Sequence, residues 1–176
     1  GGFEDLAATG YSGGIEHARS LLIERLGAAA ELATDHRVRL AFEPLHPMVC
    51  GFRSVVSSLG EALDIFDQLD DGHDIGLAID AYALWWEHDL QAKLMRAGDR
   101  ILNYHVSDWL SDTRDLRLDR GMPGDGQIAL RDWRRMIEVA GYLGPVEVEI
   151  FSRDRWWKTP AKSMTAVILE RMNACF

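Results

Sequence analysis

Four short stretches of the chain, residues 38–43, 75–80, 101–106 and 146–150, alternate bulky apolar positions with small or polar ones. Val38, Leu40 and Phe42 oppose Arg39, Ala41 and Glu43. Ile75, Leu77 and Ile79 oppose Gly76, Ala78 and Asp80. Leu102, Tyr104 and Val106 oppose Ile101, Asn103 and His105. Val146, Val148 and Ile150 oppose Glu147 and Glu149. A period of two predicts β-strands, each with one face for a packed core and one for a more open or polar space.

Between the strands the period lengthens to that of a helix. Ile15, Ala18, Leu22, Leu26, Ala29 and Ala33 form a stripe over residues 15–34. Ser58 and Glu61 make a capping box ahead of Leu59, Leu63 and Phe66. A third helix starts near Asp89 and stops at Gly98. A fourth carries Trp133, Met136, Ile137 and Ala140 and stops at Gly141. The last begins with Thr159 as N-cap and Pro160 at the first helical position, and turns Met164, Val167, Ile168 and Met172 to the core. Strands alternating with helices predict βα units around a parallel sheet. No linker rich in Pro, Gly or Ser interrupts them, so residues 1–176 read as one domain.

Composition narrows the function classes. The chain is 47% hydrophobic and 27% charged, with a formal net charge of −9 and no basic stripe. That balance argues against nucleic acid and anionic membrane as partners. The apolar stretches are too short to span a bilayer, and no signal peptide is visible. Cys50 and Cys175 share no short spacing, so a disulfide scaffold is not expected and a reducing cytoplasm fits.

The chemistry lies on the polar strand faces. At or near the C-terminal end of each strand stands a metal-ligand residue type: Glu43, Asp80, His105 and Glu149. Active sites of parallel barrels form at that end. Carboxylates crowded there raise one another's pKa, and a divalent cation removes the penalty. Three carboxylates with one imidazole suit Mn²⁺ best, with Mg²⁺, Co²⁺ or Zn²⁺ as alternatives. Glu147 shares the face of Glu149 but lies deeper, so Glu149 is the expected ligand and Glu147 needs a polar partner.

At these residues the sequence resembles the sugar phosphate isomerase/epimerase superfamily with the xylose-isomerase-like TIM barrel. The stretches that carry the resemblance are Leu40-Ala-Phe-Glu43-Pro-Leu-His46-Pro, Gly76-Leu-Ala-Ile-Asp80-Ala-Tyr, Tyr104-His105-Val-Ser-Asp108-Trp, Gly121-Met-Pro-Gly124-Asp-Gly126 and Gly141-Tyr-Leu-Gly144-Pro-Val-Glu-Val-Glu149. It implies the same four metal ligands, with Glu43 and Glu149 doubling as an acid/base pair. One removes a proton α to a carbonyl, the other returns it, and the metal stabilises the enediolate between.

The expected activity is therefore a metal-dependent isomerase or epimerase of a small sugar or polyol, with a keto-inositol-type dehydratase, or an inactive fragment or binding module, as the alternatives. Two departures from the family stand out. Relatives often carry a histidine three residues after the aspartate ligand, where this chain has Ala83. A full barrel needs about 250 residues and eight strands, so the chain reads as the C-terminal half, about four βα units. Its Gly1-Gly2 start resembles the tail of a preceding strand. Completion by a missing N-terminal half, or homo-oligomerisation, is the expected consequence.

Further residues are candidates for substrate contact. Trp85, Trp86, Trp109, Trp156 and Trp157 follow strands and offer aromatic walls for a sugar, or simply pack loops. Asp108 and Trp109 directly follow the strand bearing His105. His46 can donate to a substrate hydroxyl or brace its own loop. Arg114 can clamp a carboxylate or phosphate, or pair with Asp112, Asp115 and Asp119.

Overall fold

In the computed structural model the described residues are 13–50, 53–69 and 75–176; the Gly1-Gly2 start lies outside them. All four expected strands form, β1 (Leu40–Phe42), β2 (Ile75–Asp80), β3 (Ile101–Val106) and β4 (Val146–Val148). They pair in chain order as one parallel four-stranded sheet. Helices cover one side of it, in the pattern of half a (β/α) barrel.

The helices are α1 (Ile15–Asp35), the short α2 (Pro47–Cys50), α3 (Leu59–Phe66), the single turn α4 (Ala81–Leu84), α5 (Leu90–Ala97), α6 (Leu130–Val139) and α7 (Ala161–Cys175). Leu77, Ile79, Tyr104 and Val106 on the outer sheet face are fully buried under them, with Leu63, Leu94, Trp133 and Ile137 from the helices in the same cluster. Among the described residues no helix is long and apolar enough to cross a membrane.

The structure corrects several sequence expectations. β1 starts two residues late because the Val38 amide closes the end of α1 on the Ala33 carbonyl, with Arg37 in the left-handed region at φ 57°. It stops before Pro44, which has no amide to donate. β4 ends at Val148, although the Glu149 amide still reaches the Val106 carbonyl at 3.0 Å. A register shift between Leu77 and Ala78 reverses the parity at the start of β3. Ile101 therefore pairs with Leu77 and joins the outer core, and Leu102 leans over Gly76 on the inner side. A Cβ at Gly76 would meet the Arg100 carbonyl at 2.3 Å, so only glycine admits this close approach.

Helix ends differ in detail too. Ser58 accepts the Glu61 amide as expected, but the Glu61 carboxylate caps Ser57 instead of Ser58. Pro160, not Thr159, is the N-cap of α7. Along α1, Ile15 and Ala29 are exposed, and the buried stripe runs through Ala18, Ala30 and Ala33. Met164, Val167, Ile168 and Met172 of α7 are only half-buried, and no residue of that helix is fully buried.

The inner face of the sheet is sparsely covered. Ala41 and Glu147 are exposed, and Asn103 donates to Glu147 Oε1 at 3.0 Å. The polar partner expected for Glu147 is thus Asn103, but Glu147 is not deep.

Candidate active site

Strand ends place the four expected ligands on this inner side. Asp80 and His105 are direct register partners on β2 and β3, Glu43 follows β1 and Glu149 follows β4. One donor atom each from Glu43, His105 and Glu149 lies within 4.8 Å of the others, a spacing that can hold one cation. Among the described residues His105 Nδ1 is buried with no hydrogen-bond partner. Two carboxylates and an imidazole with a spare buried nitrogen are a chemically apt donor set for a divalent metal.

Asp80 stands beside this trio but is engaged elsewhere. It is fully buried; Oδ1 accepts the Tyr82 amide at 2.9 Å, which caps α4, and Oδ2 accepts from Arg120 Nη1 at 2.9 Å. The same Nη1 donates to Glu149 Oε2 at 3.0 Å. Three of the four expected ligands are thus brought together, and the fourth is held by a guanidinium that partly offsets the cluster's negative charge.

Arg120 was not legible in advance. It lies in the long segment between β3 and α6, at the head of the 121–126 glycine motif, and only the fold brings it to the site. Paired amide bonds between Asp108 and Gly121, both 2.9 Å, pin that segment to the end of β3. A second bridge, Asp119 to Ser152, ties it to the loop after β4. Arg120 is then sandwiched between the rings of Tyr82 and Phe151, with its guanidinium carbon 4.4 and 5.0 Å from their centroids.

Burial is the main cause that pushes the Glu43 carboxyl up to about 7, helped by the charges of Asp80 and Glu149 and opposed by Arg120 and Arg53. A carboxyl titrating there exchanges protons near neutral pH, as a general base should. Burial also lowers the pKa of His46, keeping its imidazole neutral.

The candidate substrate residues fall into two groups. His46 is 5% exposed and lines a cavity beside the ligand trio; its Nδ1 accepts the Met48 amide at 3.1 Å, and its Nε2 has no partner among the described residues. It braces its loop with one nitrogen and leaves the other available. Trp109 packs against the His46 ring in a tilted arrangement at 4.7 Å and stacks on Tyr82 at 4.8 Å, and does not itself line the cavity.

Asp108 and Arg114 do not line the cavity. The Asp108 carboxylate is fully buried and accepts from the amides of Trp109, Gly124 and Ile128, each at 2.9 Å, so it holds the glycine loop in place. A Cβ at Gly126 would meet the Trp109 carbonyl at 2.2 Å, which explains the glycine in that loop. Arg114 is exposed; its amide donates to Asp119, and Arg155 takes both Asp112 and Asp119 while Arg153 takes Asp115. Of the paired tryptophans, Trp85 packs inward and Trp86 is exposed; Trp157 is exposed and donates to the Ile150 carbonyl.

Solved structures share this arrangement of strands and helices. A protein from Sinorhizobium meliloti 1021 is 46% identical, with a TM-score of 0.89 over 93% of this chain and 60% of its own. An IolI protein whose structure holds a zinc atom is 20% identical, with a TM-score of 0.75 over 94% of this chain and 60% of its own. The 3-keto-D-glucoside 4-epimerase of E. coli is 18% identical, with a TM-score of 0.69 over 92% of this chain and 56% of its own. The chain therefore spans about 60% of the length of the first two of these solved structures. No curated protein matches it significantly. Residues 5–170 match the model of one family across almost the whole chain. With a parallel half-barrel whose strand ends gather Glu43, His105 and Glu149, this protein belongs to the xylose isomerase-like TIM barrel family.

Proposed function

We propose that the chain carries the catalytic carboxylates of a metal-dependent isomerase or epimerase of a small sugar or sugar derivative. The observation that carries this reading is the meeting of Glu43, His105 and Glu149 within 4.8 Å, with Glu43 titrating at about 7. Glu43 and Glu149 come from opposite edges of the sheet, so a substrate carbon between them can lose a proton to one carboxylate and regain it from the other. Such a transfer passes through an enediolate and inverts a centre or moves a carbonyl. A divalent cation bound by Glu43, His105 and Glu149 would supply Lewis-acid stabilisation of the charge that develops on the substrate oxygens. Asp80 is a further donor if Arg120 gives it up. Mn²⁺ suits the carboxylate-rich set of four; with Asp80 held by Arg120, Zn²⁺ suits the remaining three as well.

A dehydratase is the second reading, favoured by one observation. The unpartnered Nε2 of neutral His46 is a donor at the cavity wall, where it can assist departure of a hydroxyl β to the abstracted proton.

The test is solvent exchange. Wild-type protein with Mn²⁺ and a panel of small ketoses in D₂O should place deuterium α to the carbonyl, read by proton NMR. E43Q and E149Q should each lower that exchange about 10²- to 10⁴-fold. Epimerisation preserves substrate mass apart from the deuterium, and dehydration loses a water. Absence of exchange with every metal, together with no metal retained by the protein, would overturn the reading.

A further inference from the structure

Glu147 is the carboxylate of the inner sheet face that the metal site leaves unused. It lies two residues before Glu149 and is the direct register partner of His105 on the neighbouring strand. Parallel pairing therefore sets the two side chains next to each other on one face. Asn103 precedes His105 by two residues on that same face, so the Glu147 carboxylate lies between them. Its Oε1 accepts from Asn103 Nδ2 at 3.0 Å, and its Oε2 lies 4.0 Å from His105 Nε2. One oxygen anchors the carboxylate while the other faces the imidazole.

The two ring nitrogens of His105 thus have different surroundings. Nε2 has a carboxylate oxygen in front of it, and Nδ1 is buried with no partner among the described residues. A neutral imidazole carries one proton, and the hydrogen bond made by one nitrogen decides which of the two holds it. A carboxylate draws that proton to the nitrogen it faces. Nδ1 then keeps a bare lone pair, the form in which an imidazole binds a cation. The opposite tautomer would bury an N–H without an acceptor and turn a lone pair towards a negative charge, and both are costly. The 4.0 Å separation is longer than a hydrogen bond. The Glu147 side chain, 56% exposed, has room for the rotation about its Asn103 contact that closes the gap.

We propose that Glu147 is a positioning residue: its carboxylate, anchored by Asn103, holds the proton of His105 on Nε2, so that Nδ1 is presented to the divalent cation beside Glu43 and Glu149. Glu147 is not itself a ligand. A carboxylate that accepts from a metal-binding imidazole also fixes the ring and raises its basicity, which strengthens the bond to the cation. The task suits a carboxylate because two donors converge on it, the Asn103 amide and the His105 N–H, and an amide side chain offers only one oxygen. This rests on the metal-binding part of the proposed function and deepens it by assigning the nitrogen that meets the ion.

Metal affinity and tautomer, both measured on the full chain, test it. Calorimetric titration with Mn²⁺ should give the same stoichiometry in wild type, E147Q and E147A. Affinity should fall by about tenfold to a hundredfold in E147A, and by less in E147Q. N103A, which frees the carboxylate without removing it, should cost less than about tenfold. Nitrogen-15 NMR of the metal-free chain at alkaline pH should show His105 protonated on Nε2 in wild type and a mixture of tautomers in E147A. A residue that merely braced the sheet would not move that signal. Circular dichroism confirms that the variants fold, as the exposure of Glu147 should allow. Unchanged Mn²⁺ affinity in both Glu147 variants, or a wild-type His105 with its proton on Nδ1, would overturn the proposal. The two readings fail in distinguishable ways. A wild-type chain that binds neither Mn²⁺ nor Zn²⁺ removes the metal-dependent function and this role together. A metal held equally well by wild type and E147A leaves that function standing and removes the role of Glu147 alone.

Discussion

The two faces of the sheet are built on different principles. On the outer face Leu77, Ile79, Tyr104 and Val106 are wholly excluded from water, each packed by helices from the neighbouring units. On the inner face, one residue away along the same strands, stand Asp80, His105, Asn103 and Glu147. Burial of apolar area holds the first face together at roughly 25 cal/mol per Å². The second has little apolar area and gathers charge. Its order comes from directed bonds, above all Arg120 spanning Asp80 and Glu149. Stability therefore resides mainly in the outer face and the candidate site in the inner one, and the two can be perturbed separately.

Removing Arg120 should break the inner face most severely. R120M leaves the Asp80 carboxylate fully buried without its cation, at a cost of about 3–5 kcal/mol in urea unfolding. D80N in the same background should recover a large part of the loss. A stability change below about 1 kcal/mol would mean that the guanidinium is not what compensates the buried Asp80 charge.

L77A strikes the outer face alone. Truncating this fully buried side chain should cost about 3 kcal/mol, with metal content unchanged. Loss of metal binding at temperatures where L77A remains folded would show that the faces are coupled.

The pH dependence sharpens the contrast. The Glu43 carboxyl titrates at about 7 in the folded chain against 4.5 when unfolded. The folded state therefore binds more protons between these values, and the stability this gives is fully present below 4.5 and lost as pH rises through 7. Metal-free protein should lose about 2 kcal/mol over that interval, after allowance for the partial exposure of Glu43. E43Q should flatten the slope. Metal affinity should run the other way and rise with pH, since the ligand must be deprotonated. An E43Q protein with an unchanged slope would assign the effect to another group.

The smallest effect is expected at Glu147. Its side chain is 56% exposed and accepts a hydrogen bond from Asn103. E147Q should shift stability by less than about 0.5 kcal/mol and leave metal stoichiometry intact. Loss of the metal in E147Q would move the ligand role from Glu149 to Glu147.

Much of the framework follows from local chemistry. The alternation in residues 75–80 and 101–106 requires strands, and a parallel sheet follows from helices placed between them. The strand-end positions of Glu43, Asp80, His105 and Glu149 also follow from parity, because a strand directs every second side chain to the same face. Gly98 and Gly141 mark their helix ends with positive φ, as their lack of a Cβ allows.

What tertiary structure alone decided are the contacts between segments far apart in the chain. Arg120 meets Asp80 forty residues away because the Asp108–Gly121 and Asp119–Ser152 bridges fold the long loop back over the strand ends. Asp108 serves that loop with both carboxylate oxygens, a role no spacing announces. The inversion of Ile101 and Leu102 depends on the register with β2, and a register is a property of two strands. Sequence fixes which atoms can bond and which face each residue takes within its own element. Which distant groups use that capacity is set only when the sheet closes the loops around one end.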